Sequence, residues 1–310
     1  MSFPFSFWKN NQSGGFFVRS HGQTGFGTGT ITVFSSVEEF NGTSWASGTS
    51  DSTDKGELQL GDTTFSSKHW AIDGRSGAGA ISPNYIASYN RTSWDNSQPV
   101  RTTGRVAGGI AAYSGSLLVA KGTTSTNISV GYVSSSASLD AFNGSSWSNG
   151  IATFGSATME ASSATTNSLF RVVGGIGITG FGDNEHDTWN GSSASTSTIL
   201  PSSVPMSVGQ IESGGRFLVA SYNSGASYAY NGSSWDTLGT TPSYAISNSA
   251  ATGSGCANGF NSASGLNYVN GGSSSSSASL TSSSVFNGTS WSSGTASSEA
   301  RAGATGSVLA

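Results

Sequence analysis

The sequence predicts an all-β chain: a six-bladed β-propeller of four-stranded antiparallel blades, closed by pairing the C-terminal strand with the N-terminal blade. Three observations predict it. A hairpin motif recurs six times along 310 residues. A small-residue segment and then an apolar run follow the copies at similar distances. The chain ends where a first strand belongs and begins where a second strand belongs.

The motif is aromatic-Asn-Gly-Ser/Thr-Ser-Trp. It reads Phe40-Asn41-Gly42-Thr43-Ser44-Trp45 at first, then Tyr89-Asn90-Arg91-Thr92-Ser93-Trp94 and Phe142-Asn143-Gly144-Ser145-Ser146-Trp147. A degenerate fourth copy, Trp189-Asn190-Gly191-Ser192-Ser193-Ala194, is followed by Tyr230-Asn231-Gly232-Ser233-Ser234-Trp235 and Phe286-Asn287-Gly288-Thr289-Ser290-Trp291. The Asn-to-Asn spacings are 49, 53, 47, 41 and 56 residues. Asn-Gly signals a two-residue type I′ hairpin, in which both central residues have positive φ. The aromatic then ends strand c and the Trp opens strand d, where large rings fill the space between blades. Arg91 in place of Gly predicts a strained turn or a change of turn type. Ala194 in place of Trp predicts lost volume, which Trp189 in the aromatic slot makes up in part.

The remaining strands are counted from each Trp. About fifteen residues later come small-residue segments at 56–61, 104–113, 157–166, 204–213 and 245–255. These are read as strand a, whose Gly and Ala suit the crowded axis. Apolar runs about 24 residues after the Trp are strand b: His69-Trp70-Ala71-Ile72, Leu117-Leu118-Val119-Ala120, Leu169-Phe170-Arg171-Val172-Val173 and Phe217-Leu218-Val219-Ala220. Leu266-Asn267-Tyr268-Val269 lies roughly eight residues late, which suggests an insertion at 256–264 in one a–b loop. After Trp291 only 301–310 remains, at the strand-a distance, and Gly14-Gly15-Phe16-Phe17-Val18 matches strand b. The chain is therefore read as five whole blades and one split blade, which leaves no open sheet edge. The propeller is placed at 14–310, with 1–13 as an N-terminal extension.

A period near 50, with one four-stranded blade per repeat, is that of kelch repeats. The pattern resembles these and the propeller of galactose-oxidase-like proteins, in the Gly doublets after strand b (Gly174-Gly175, Gly271-Gly272), the strand-c aromatic and the strand-d Trp. It departs from them where the doublet is missing, as at Lys121-Gly122 and Ser221-Tyr222. Glu38-Glu39-Phe40-Asn41-Gly42-Thr43-Ser44-Trp45, followed by Ser/Gly/Thr-rich linkers, is most similar to kelch-like repeats of marine bacteriophage structural proteins. That resemblance implies a virion or extracellular setting.

Composition narrows the function classes. Only 9% of residues are charged and Gly numbers 44, so the expected surface is rich in hydroxyls rather than ions. Twelve Lys and Arg, scattered against a net charge of −4, are a poor footprint for nucleic acid. No run of about 18 apolar residues predicts membrane insertion. The N-terminus lacks the basic and continuous apolar regions of a secretory signal. The single Cys256 excludes an internal disulfide and reads as a small buried hydrophobe.

No catalytic constellation emerges, and no cofactor is expected. Galactose-oxidase-type copper chemistry would need two His, Tyr ligands and a Cys–Tyr cross-link. His21 and His69, 48 residues apart at the ends of adjacent b strands, could be neighbours, but no third ligand suggests itself. They are read as ordinary strand-end histidines. Asp183, Glu185 and Asp187 form the densest acidic cluster, a weak Ca²⁺ candidate without EF-hand spacing; a solvated turn is the preferred reading. Paired carboxylates for glycoside hydrolysis are not singled out among 16 acids. The Asn-Gly-Ser/Thr triplets match glycosylation sequons, but the hairpin explains them without glycans. Phe26, Phe181, Tyr222 and Phe260 are assigned to variable loops as candidate contacts to a cell-surface glycan. Phe3, Phe5 and Phe7 alternate and precede Trp8. This aromatic arm is expected to dock on neighbouring virion or appendage subunits. The functional expectation is a non-enzymatic structural or adhesion protein of a virion (tail, fibre or capsid appendage) that presents its loops for receptor or carbohydrate binding. The alternative is a carbohydrate-active or galactose-oxidase-like enzyme on the same scaffold. A cytosolic kelch adaptor is less favoured, because its usual partner domain does not fit this length.

Overall fold

The computed structural model describes residues 15–24, 31–56, 61, 63–76, 80–81, 85–125, 134–179, 182–202, 206–211, 214–221, 226–240, 256–272 and 279–309. The extension at 1–13 and the residues Phe26, Phe181 and Tyr222 lie outside them.

Six four-stranded antiparallel sheets form the blades of a β-propeller. Strands a to d of blade 3 are Gly109–Tyr113, Ser116–Ala120, Ser138–Phe142 and Trp147–Thr153. Those of blade 4 are Ser162–Thr166, Leu169–Val173, His186–Trp189 and Ala194–Thr196. Those of blade 5 are Met206–Ile211, Phe217–Ser221, Ala226–Tyr230 and Trp235–Thr240. Blade 1 is the split one: Thr305–Leu309 supplies strand a to Phe16–Ser20, Val37–Phe40 and Trp45–Ser47. Phe17 pairs with Val308 as the closure requires.

Two strand-a assignments are corrected. In blade 2 the inner strand is Thr64–Phe65, not 56–61, followed by Lys68–Ile72, Ile86–Tyr89 and Trp94–Asp95. Gly61 instead enters the axis. It bridges to Ser163 of blade 4, and a Cβ there would lie 2.0 Å from the Ile110 carbonyl oxygen of blade 3. Two residues on, Thr63 N–H donates to Gly306 O of blade 1 at 3.1 Å. The crowding that suggested an inner strand is real, but at Gly61 it comes from contact with blades 3 and 4 rather than from a strand of blade 2. In blade 6 strand a is Ala257–Asn261, ahead of Leu266–Asn270, Ser283–Phe286 and Trp291–Ser293. The extra residues therefore precede strand a rather than follow it. Phe260 accordingly sits on an inner strand opposite Asn267, not on a variable loop.

The c–d turn is also corrected. It is a four-residue loop rather than a two-residue type I′ turn, with Phe40 paired to Trp45 and only Gly42 in the left-handed region at φ 94°. In all six copies the Asn Oδ1 accepts the N–H groups two and three residues on, at 2.8–3.0 Å. The Asn side chain thus holds the loop while Gly supplies the positive φ. Arg91 keeps the turn type and takes φ 76°, with its guanidinium 3.3 Å from Glu39 and 3.4 Å from the centroid of the Phe16 ring. Type I′ geometry occurs instead in a–b hairpins, at Ser66-Ser67, Ser114-Gly115 and Asn167-Ser168. Replacing Asn143 with Ala is expected to cost about 1–2 kcal/mol, read as a lower urea midpoint. An unchanged midpoint would contradict the capping role.

Each strand-d Trp is a latch to the preceding blade. The indoles of Trp45, Trp94, Trp147 and Trp235 donate Nε1–H to the carbonyls of Thr295, Thr49, Pro99 and Thr198, each at 2.8 Å. Trp291 donates to Ser227 Oγ at 3.0 Å. Each ring also packs on the aromatic before its own Asn, at 5.1–5.2 Å between centroids. Such pairs add about 0.5–1.5 kcal/mol beyond area burial.

Candidate functional site

The b–c and d–a connections share one face of the ring, because strands b end, c begin, d end and a begin at the same edge. That face gathers most of the buried charge among the described residues. Of the 11 basic residues among those described, eight are buried: Arg19, Lys55, Arg75, Arg101, Arg105, Lys121, Arg171 and Arg301.

The arrangement starts at the position after strand b. Gly174-Gly175 and Gly271-Gly272 adopt two successive left-handed conformations, at φ 64° and 107°, and 83° and 93°. His21-Gly22, Asp73-Gly74 and Lys121-Gly122 do the same, with φ of 59°, 57° and 59° at the first residue. At these three places the doublet that is absent in sequence is kept in conformation, whereas Ser221 of blade 5 continues strand b. A non-glycine residue there costs about 1–2 kcal/mol. In return its side chain reaches the following d–a connection from a buried position.

At Asp73 the partners are Arg101, which also donates to Asp140 at 2.9 Å, and the Arg105 N–H at 3.0 Å. Burial, and then the neighbouring Arg105, pushes the Arg101 guanidinium down to about 9. Lys121 lies 2.7 Å from Asp187 and 3.9 Å from Glu185, and donates to Ser156 Oγ at 3.0 Å. This corrects the solvated-turn reading for Asp187, while Asp183 and Glu185 stay half-exposed on the connection before strand c. Asp187 is fully buried on strand c, and the Lys121 ammonium stands where a cation would sit. Asp183 Oδ1 accepts the Glu185 N–H at 2.8 Å instead of joining them. Among the described residues no three His, Cys, Asp or Glu side chains converge on a metal position. Cys256 is buried, its Sγ 3.6 Å from Gly271 O.

His21 and His69 are brought together through Ser20. Ser20 Oγ lies 2.7 Å from His21 Nδ1 and 2.6 Å from His69 Nε2; His69 Nδ1 lies 2.7 Å from Ser307 Oγ. On the other side His21 Nε2 meets Asp51 Oδ2 at 3.2 Å, and Tyr85 O–H also donates to Asp51. One proton order satisfies this chain: Ser307 donates to His69, His69 to Ser20, Ser20 to His21 and His21 to Asp51. Burial opposes ionisation of Asp51, but hydrogen bonds from His21, Tyr85 and Asn96 outweigh it and hold the carboxyl at about 2. Burial pushes His69 down to about 3. Ser, His and Asp here have the order of a nucleophilic triad. With Ser20, His21 and His69 all at 0% exposure, no acyl carbon can approach Oγ. The chain is a polar seam between blades 1 and 2. Its 48-residue spacing was legible in sequence, whereas the bridging Ser20 and the acceptor Asp51 were not.

A third cluster closes the ring. Arg19 pairs with Glu38, and Arg301 pairs with Glu299 and donates to Ser36 O at 2.7 Å and His21 O at 3.1 Å.

Outside this frame the same face holds a polar cleft of about 190 Å³ on blade 3. Thr102, Thr103, Thr124, Ser136, Ser138 and Asn149 line it, over Arg105 and Asp140. Arg105 donates to Asp140 at 2.7 Å and to Ser136 Oγ at 3.0 Å, and also to Ser138 Oγ, so the floor is fixed before any guest arrives. The volume matches the share of about six liquid waters. Hydroxyls, a carboxylate, an amide and a guanidinium together offer both donors and acceptors to a hydroxylated guest.

No protein-family model matches the chain, and no curated protein sequence is similar to it. Among solved structures it is similar to a propeller protein described as "Structure of YjhT", at 12% identity and a TM-score of 0.56 over 74% of this chain and 80% of that one. At that identity the likeness concerns the fold, and the fold it supports is the β-propeller.

Proposed function

We propose that this chain is a kelch-like propeller of a virion or extracellular appendage, a non-enzymatic subunit that presents its loop face to a glycan or glycosylated receptor. The relation to bacteriophage structural proteins is part of the proposal and rests on the repeat motif. The observation that carries the binding role is the pre-ordered, hydroxyl-lined cleft at Thr102, Thr103, Ser136 and Asn149. Around it the charged side chains are engaged in one another, a frame suited to holding loops still rather than to moving protons. Loops on a rigid scaffold are where recognition residues concentrate. Phe26, Phe181 and Tyr222, which lie in sequence between strands b and c of blades 1, 4 and 5, remain the proposed ring contacts. The arm with Phe3, Phe5, Phe7 and Trp8 is the proposed contact to neighbouring subunits.

Saturation-transfer NMR against a panel of neutral mono- and disaccharides tests the binding role. Signal from at least one sugar is expected, and Asn149→Ala is expected to weaken it about tenfold, the cost of roughly one good polar contact. Conversion of a sugar to hydrolysed or oxidised product would favour an enzyme instead, and absence of any signal would remove the glycan reading. Antibody labelling of intact particles tests the location.

A further inference from the structure

The seam between blades 3 and 4 has an opening that the other blades do not predict. In the fourth motif Ala194 stands where five copies have the latch Trp. At the seam between blades 6 and 1, where Trp45 is present, the residual void is only about 10 Å³. At the seam between blades 3 and 4 it is about 230 Å³. The two voids occupy the same place in the repeat. Leu118, Ala141 and Trp189 line the larger one at the positions of Tyr268, Val285 and Phe40 in the smaller, and Ile151 joins them from the bulge of strand d. The slot is thus enlarged by a missing indole and by smaller residues at two of its walls. Trp189 forms one wall where the other copies stack the latch ring, and Ser114 and Ser116 add hydroxyls at the rim. Trp189 alone does not restore the lost volume.

We propose that this slot receives an indole from outside the ring, that of Trp8 from a second copy of the chain. The inference rests on the reading of the N-terminal segment as an assembly arm and names its receptor. Seven of the eight tryptophans lie on blade strands, Trp8 precedes the described residues, and the fourth blade lacks the tryptophan its repeat calls for. Chain direction agrees. Gly15 leads into strand b of blade 1 at the hairpin face, and the slot opens beside the Ser114 hairpin and Gly191 on that same face. A second copy is favoured because the slot lies 2.5 blades around the ring from blade 1, as far as any seam, and the seven residues from Trp8 to Gly15 reach about 25 Å at full extension. Two copies meeting hairpin face to hairpin face would each donate an arm, an isologous arrangement that closes on itself. By analogy with Trp45 on Thr295, the incoming ring stacks on Trp189 and aims its N–H at the Ala152 carbonyl, which the strand-d bulge places at the Thr295 position.

Sedimentation velocity across a concentration series, with thermal melts, tests this on the full chain. The wild type is expected to form a reversible dimer, and Trp8→Ala to stay monomeric with an unchanged Tm. Ala194→Trp is expected to stay monomeric while Tm rises by roughly 2–4 °C, because the latch is restored within the chain. Should that variant fail to fold, the pair Leu118→Tyr and Ala141→Val, which copies the filled seam, narrows the slot and is expected to block association equally. N-acetyltryptophanamide is expected to compete with the wild-type dimer. A wild type that is monomeric throughout, or a dimer indifferent to Trp8→Ala, overturns both the slot and the arm. A dimer lost in Trp8→Ala but kept in the slot-filled variants overturns the slot and leaves the arm reading standing.

Discussion

A chain lacking residues 305–310 is expected to lose its cooperative unfolding transition. Thr305–Leu309 makes five residue pairings with Phe16–Ser20, and Leu309 is buried at 2% exposure. A net value of about 1 kcal/mol per ladder hydrogen bond and about 2 kcal/mol for the leucine already approaches a typical domain's whole margin of about 5–15 kcal/mol. The loss extends past the sheet. Gly306 O holds the axial Thr63, and Ser307 begins the hydrogen-bond chain through His69 and Ser20 to His21. Removing the strand leaves these groups unsatisfied inside the ring and exposes the inner edge of blade 1. Circular dichroism during urea titration reads the effect. A truncated protein with the wild-type midpoint would contradict the closure.

Acidification is expected to destabilise the protein through its histidines well before the bulk carboxylates titrate. His21, His69 and His186 are all buried and depressed, mainly by burial, with His69 and His186 each at about 3. The folded state therefore keeps these rings neutral while the unfolded chain binds protons below about pH 6.5. Where the unfolded state binds more protons, stability rises with pH. The histidine contribution is complete above pH 6.5 and is lost progressively as pH falls toward 3. Asp51, held at about 2, adds a loss of the same sign below about pH 4. Two histidines at about 1.4 kcal/mol per pH unit give a deficit on the order of 5 kcal/mol at pH 4.5. Calorimetry should show Tm flat from pH 8 to 7 and falling below 6.5. His69→Asn, which retains a donor and an acceptor, should flatten part of that slope at the cost of some stability at pH 8. A melting temperature constant down to pH 4.5 would show that the rings charge freely in the folded state.

The repeat was legible because its signals are local. Asn41 with Gly42, and each equivalent pair, acts within four residues, and the strand-b runs are continuous apolar segments. The same locality misled where a composition matched two roles. Residues 56–61 are small enough for an inner strand, yet Gly61 serves the axis, and only packing against Ile110 and Ser163 separates the two. Asn-Gly signalled a hairpin correctly and its turn type incorrectly, because the Asn side chain competes for the N–H groups that a tighter turn would leave to water.

The sequence alone determined six blades, the order of strands within most of them and the union of tail with head. These follow from turn chemistry and periodicity, which a short window of chain carries in full. The three-dimensional structure decided where the charges go. Arg101 meets Asp73 across 28 residues, Lys121 meets Asp187 from the next blade, and Arg301 reaches the His21 carbonyl across 280. It also decided that His21, Asp73 and Lys121 hold a glycine conformation, and that Ala194 leaves a slot. A buried charge is tolerated only beside its counter-charge, and a missing ring opens a space only against the neighbouring wall. Both partners come from distant chain, so neither consequence is written in the residues around it.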